Sequence, residues 1–174
     1  MTFKCRIIYS IIYFQPSFNP FYSELAIKLG GFDRKYRMAV QCCIWDRIRD
    51  IATLKKHEQN NLAKFASHLI KEKLLSLTCL KVIEFSELNK NLVKFIKHIL
   101  LDLMSEPDTK LMAAPFLVVA GYPKLSVFRD GLRLFMRHFM LKHADKNGEN
   151  KEELKMKVEA ADMALMAGEK RLVL

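Results

Sequence analysis

The sequence predicts an all-α protein built from stacked antiparallel helical hairpins, and three observations carry that expectation. Six glycines and five prolines in 174 residues leave few turn signals for a sheet of many strands. Leu, Ile, Lys, Met and Phe are plentiful, while β-branched residues seldom cluster. Apolar residues recur at steps of three and four through most of the chain, the period of helices that bury one face. The length suits one compact domain, or one domain with an appendage.

The chain opens on MTFKCRIIYSIIYFQPSF, two early basic residues and the apolar run Ile7 to Phe14. That run is too short for a spanning helix, which needs about 20 apolar residues, and no small-residue cleavage site precedes Gln15 and Pro16. Residues 1–18 are therefore read as a β-prone or irregular lead-in. Asn19 then caps a first helix with Pro20 at its first position. Phe21, Leu25 and Leu29 are its expected buried row, and Gly30-Gly31 its expected left-handed end. Asp33 caps a second helix on which Tyr36, Val40, Cys43, Ile44, Ile48 and Ile51 recur, with Met38, Cys42 and Trp45 off the stripe. A helix apolar on more than one side packs between neighbours.

A third helix buries Leu62, Phe65, Ala66, Leu69 and Ile70 and sets Lys64, His68 and Lys71 opposite. LTCLKVIEF reads as a shorter helix. Asn89 caps the next, with Leu92, Phe95, Ile96, Ile99, Leu100 and Leu103 inward. Glu106, Pro107 and Asp108 mark a boundary, and Pro115 predicts a bent or shortened helix within Leu111 to Ala120. KLSVFRDGLRLFMRHFMLKH is the strongest amphipathic segment, with Leu125, Phe128, Leu132, Phe135 and Phe139 on one stripe. A polar linker, ADKNGEN, carries a turn signal at Asn147-Gly148. The last helix, about residues 151–167, uses Leu154, Val158, Ala161 and Leu165, and Gly168 stops it.

The formal charge of +10 makes an acidic partner such as RNA a first thought. The excess is thinly spread, however: basic residues exceed acidic ones by 7 to 4 over 31–60 and again over 61–104, and the two are equal at 5 each from 151 onward. Cys5, Cys42, Cys43 and Cys79 form no C-x-x-C pair, which fits a reducing, intracellular compartment. His57, His68, His98, His138 and His143 are scattered without metal-ligand spacing. Adjacent Cys42 and Cys43 diverge by about 100° on a helix and have no neighbouring base. With no glycine-rich phosphate loop either, neither a cofactor nor an enzyme is expected.

Three features remain as interaction candidates. Glu84 and Glu87 in KVIEFSELNK resemble a working carboxylate pair, but they fall where one helix ends and Asn89 caps the next, so they are read as a joint. The segment DRIRD, with Asp46, Arg47, Arg49 and Asp50, mixes signs in a way that suits a protein surface better than a nucleic-acid groove. Arg129, Arg133 and Arg137 form an i, i+4, i+8 row that either contacts RNA phosphates or faces solvent.

Three separated stretches, NPFYSELAIKLGGFDRKYRMAVQCCIWDRIRDI, LLSLTCLKVIEFSELNK and GLRLFMRHFMLKHAD, occur in one order. Together they resemble the C-terminal part of the eukaryotic nucleolar proteins that carry a middle domain of initiation factor 4G followed by an MI domain, the Sgd-like ribosome-biogenesis family. The resemblance implies a HEAT-like MI domain over residues 19–104, lacking its upstream helices, and a helical C-terminal extension over 105–174. It implies a non-enzymatic adaptor in the nucleus and nucleolus, engaging a DEAD-box RNA helicase of the initiation-factor-4A class during small-subunit ribosomal RNA processing. Proteins of pre-ribosomal particles and ribosomal RNA would be its other partners, with no membrane involved. Spliceosomal proteins with the same pair of domains are a more distant resemblance. Residues 1–18 do not resemble the family, so a fragment or truncated gene is expected, with part of the first hairpin's apolar surface uncovered.

Overall fold

The computed structural model describes residues 16–141 and 151–167. The lead-in before residue 16, the turn at Asn147-Gly148 and the stop at Gly168 lie outside the described residues. Within them every regular element is helical and no strand occurs: α1 (Pro20–Phe32), α2 (Arg34–Arg49), α3 (Lys56–Lys71), α4 (Lys90–Met104), α5 (Thr109–Ala120), α6 (Ser126–Phe135) and α7 (Lys151–Met166). Short 3₁₀ turns stand at Ile51–Thr53, Leu77–Val82 and Pro123–Leu125, and α6 runs on into a π turn at Met136–Met140.

Two compact units result. The first takes residues up to 83 together with 89–102, and the second takes 84–88 with the residues from 103 onward. In the first unit α1 and α2 form a hairpin, α3 packs on α1, and the Leu77–Val82 turn packs on α2. Asn19 and Asp33 cap α1 and α2 as expected, each side chain accepting an N–H two residues on, at 3.0 and 2.7 Å.

The buried row of α1 differs from the expected one. Phe21 is 63% exposed, and Ser23, Ala26 and Gly30 are buried in place of Phe21, Leu25 and Leu29. Small residues let neighbouring elements approach: a Cβ on Gly30 would lie 2.6 Å from Leu74 Cδ1. Both glycines keep right-handed backbone, so the helix runs through them and ends at Asp33, whose N–H donates to the Leu29 carbonyl at 3.1 Å.

α3 supplies much of the first unit's core. Leu62, Phe65, Leu69 and Ile70 are all at most 3% exposed, and four such side chains contribute on the order of 10 kcal/mol before chain entropy is subtracted. Exposed ion pairs, at about 0–1 kcal/mol each, are minor beside that. The helix opens with the Lys55 N–H donating to Glu58 Oε2 at 2.6 Å, and Gln59 Nε2 donates to the carbonyls of Ile51 and Leu54. It ends on Lys73, whose φ of 60° lets the Leu75 N–H reach back to the Leu69 carbonyl. α4 is tied to α3 by Asp102, which accepts from Ser67 Oγ and lies 3.2 Å from Lys71 Nζ. Asn89 caps α4 through the N–H groups of Asn91 and Leu92, and Phe95, Ile96, Ile99 and Leu100 are buried while Leu92 is half-buried.

In the second unit α5 packs along α7, and α6 also meets α7. Pro115 does not shorten the helix: Asp108 caps α5 through the N–H groups of Lys110 and Leu111, and the helix continues through the proline to Ala120. Of the expected stripe on α6, Phe128, Leu132 and Phe135 are buried and Phe139 is half-buried. On α7 Val158, Ala161 and Leu165 are buried and Leu154 is half-buried.

Candidate functional site

The mixed-charge segment closes α2. Arg49 Nη1 donates to Asp46 Oδ1 at 3.1 Å, with both side chains about 60% exposed, and Arg47 Nη2 donates to Asp50 Oδ2 at 3.4 Å. Four charged residues within about one and a half helical turns thus form two i, i+3 pairs, each of opposite sign. Asp50 also ends the helix, its N–H donating to the Asp46 and Ile48 carbonyls. The apolar flank of this segment is anchored from inside the first unit: Trp45 Nε1 donates to the Cys79 carbonyl at 2.7 Å, and Lys81 Nζ lies 5.5 Å from the Trp45 ring. A helix end with Asp46, Arg49 and Asp50 exposed and Arg47 half-buried carries mixed charge of the kind that suits a complementary protein surface.

Glu84 and Glu87 lie in the loop between the Leu77–Val82 turn and α4, both exposed, with the Glu87 N–H donating to the Glu84 carbonyl at 3.2 Å. They are the joint that their spacing suggested. Between them stands the half-buried Phe85, whose ring centroid lies 5.9 Å from that of Phe128 and 6.2 Å from that of Phe135. Asp46 to Asp50 belong to the first unit, while Glu84 and Glu87 count with the second.

Only the last of the arginine row faces solvent: Arg137 is exposed and Arg133 half-buried. Arg129 is 6% exposed. Arg133 Nε donates to Asp162 Oδ1 at 2.7 Å and Arg137 Nη2 to Asp162 Oδ2 at 2.6 Å, so two of the three converge on one buried carboxylate of α7. Burial alone would raise the Asp162 pKa. The two guanidinium hydrogen bonds and their charge outweigh it, and the carboxyl titrates below its usual value. The row is a fastener between α6 and α7 before it is anything else.

Sequence reasoning missed a basic cluster in the first unit. Lys56 and Lys64 from α3 and Lys94 and Lys97 from α4 lie near enough to the exposed His98 for their charges to act on it. Desolvation, followed by repulsion from Lys97, Lys64, Lys56 and Lys94, lowers the imidazole pKa, and desolvation also lowers that of Lys97. The i, i+3 spacing of Lys94 and Lys97 was visible in KNLVKFIKH, but the α3 lysines join them only through packing.

Cys42 is exposed and Cys43 buried, and burial pushes the Cys79 thiol up to about 12. Among the described residues no group of three or more His, Cys, Asp or Glu is placed to hold a metal ion, and no single helix is long and apolar enough to cross a membrane.

Packed helical hairpins of this kind make an all-α fold of HEAT-like type. Over 150 residues the chain is 40% identical to nucleolar MIF4G domain-containing protein 1 of Homo sapiens and 39% identical to that of Mus musculus. It is 38% identical over 141 residues to the homolog of Drosophila melanogaster. The matches cover 86% of this chain for the two mammalian proteins and 81% for the fly protein. The chain belongs to this nucleolar MIF4G domain-containing family, and it spans about a sixth of the length of these curated relatives (16–17%). No family model and no solved structure matches it.

Proposed function

We propose that this chain is a nucleolar, non-enzymatic docking module for ribosome biogenesis. It holds a DEAD-box RNA helicase of the initiation-factor-4A class within pre-ribosomal particles during small-subunit ribosomal RNA processing. The observation that carries the reading is the 40% identity over 86% of the chain to a protein named as nucleolar. That name also favours a nucleolar over a spliceosomal adaptor. The exposed charges of Asp46, Arg49 and Asp50 on the first unit, and separately those of Glu84 and Glu87 on the second, are of the kind that fix a partner's register.

The test is binding of purified helicase of that class to the full chain. Asp50→Lys and Glu87→Lys should each weaken binding about tenfold, the loss of one close charge pair and its replacement by repulsion. Undiminished binding by both variants, or no binding by the unchanged chain, would refute the assignment.

The lysine cluster around His98 favours a second reading, direct contact with ribosomal RNA phosphates. In that case affinity falls steeply with salt and is lost in the Lys94→Glu/Lys97→Glu double variant, without a helicase present. Arg133 and Arg137 are poor probes of RNA contact because charge reversal there would first break the Asp162 pairing.

A further inference from the structure

A second basic feature of the first unit has the shape of a pocket. A cavity of about 380 Å³ opens where the end of α1, the first turn of α2 and the turn after α3 meet. Its apolar wall is Ile27 and Leu74, and the backbone of Gly30 and Gly31 forms one side without side chains to obstruct it. Around it stand Arg34, Arg37 and Lys73, with Glu72 as the single acidic residue. All four are exposed, and none of the three cations has an ion-pair partner among the described residues.

The placement of these cations costs the fold stability. Arg34 and Arg37 sit in the first turn of α2, at the positive pole of its dipole, and that turn contains no acidic residue. The nearby Asp33 carboxylate is already occupied as the helix cap, accepting from the Lys35 N–H. Lys73 holds left-handed backbone at φ 60°, a conformation that glycine adopts without the cost of about 1–2 kcal/mol that other residues bear. A side chain that costs stability at that position, and that carries charge into a pocket already rich in charge, is accounted for by an anion.

We propose that this pocket binds a phosphoseryl or phosphothreonyl side chain of a partner protein. Three cations against one carboxylate leave a local charge of +2, which matches a phosphomonoester of about −1.5 to −2 near neutral pH better than a carboxylate of −1. Two arginines offer forked donors of the kind that grip phosphate oxygens in pairs. The apolar wall of Ile27 and Leu74 suits the methylene or methyl group of the modified residue. No aromatic side chain lines the pocket, so a nucleotide base would find no stacking surface there.

The experiment is an NMR titration of the isotope-labelled full chain with N-acetyl-phosphoserine amide. Saturable shifts of the Gly30, Gly31 and Lys73 amides are expected, with none from N-acetylserine amide. Arg37→Glu and Lys73→Gly should each weaken binding about tenfold. Lys73→Gly is the decisive variant, because it removes the cation while relieving the backbone: binding falls while the melting temperature holds or rises. Absence of shifts overturns the proposal, and so does equal binding by Lys73→Gly. Inorganic phosphate bound as tightly as the phosphoserine compound would reduce the pocket to an adventitious anion site. Tighter binding of oligouridine RNA at the same amides would reassign it to nucleic acid.

Discussion

A methyl group added at Gly131 would lie 2.7 Å from two ring carbons of Phe85 and 2.8 Å from its Cβ. The ring has little room to yield, since Phe128 and Phe135 stand against it. Gly131→Ala therefore forces ring and helix apart, and overpacking of this kind costs about 1–3 kcal/mol. Urea unfolding of the variant measures the loss. Adding Phe85→Leu to it should recover part of that loss, as a double-mutant cycle on two touching residues requires. Nothing in the string RDGLRLF announces this constraint: a glycine inside a helical period reads only as a mild helix breaker. The misread row of α1 has the same origin. Periodicity ranks Phe21, Leu25 and Leu29 by hydrophobicity, whereas the neighbouring elements select Ser23, Ala26 and Gly30 by size.

At the level of elements, capping and amphipathic period were legible, because both are local. Asn19, Asp33 and Asn89 cap the helices that they were expected to cap. Phe128, Leu132 and Phe135 of the α6 stripe are buried where the spacing put them. LTCLKVIEF, which reads as a short helix, is 3₁₀ over Leu77–Val82 only. The partner of the arginine row was not legible, because Asp162 lies 29 residues beyond Arg133 and 25 beyond Arg137. A charge's fate depends on what tertiary packing brings opposite it. Asp162→Asn removes the carboxylate that joins α6 to α7 and leaves two guanidinium groups facing a neutral amide. The expected loss is about 2 kcal/mol, in the range for hydrogen bonds to charged groups. Because the folded pKa of Asp162 lies below its unfolded value, this stabilisation is complete at neutral pH and is lost as pH falls through the folded value. Acid titration of stability should accordingly be shallower in Asp162→Asn than in the unchanged chain.

On the scale of the whole molecule, the all-α class followed from composition and period, while the partition of the chain did not. The sequence signals a break at Glu106 to Asp108, yet the compact units divide at 102/103, inside α4, and return residues 84–88 to the second unit. That return rests on one aromatic side chain meeting two others across about 50 residues of sequence, a contact that a linear pass does not register. If the units open separately, Phe85→Ala should accelerate amide hydrogen exchange in α6 while leaving the Leu62 to Ile70 amides of α3 protected. Equal acceleration in both would show one cooperative unit. The detour of residues 84–88 also orders events during synthesis. Phe85 leaves the ribosome about 50 residues ahead of the Phe128 to Phe135 segment that receives it. At roughly 5–20 residues per second it waits about 3–10 s. Throughout that interval the nascent chain displays an aromatic side chain with no seat, and this is the window in which a chaperone has something to hold.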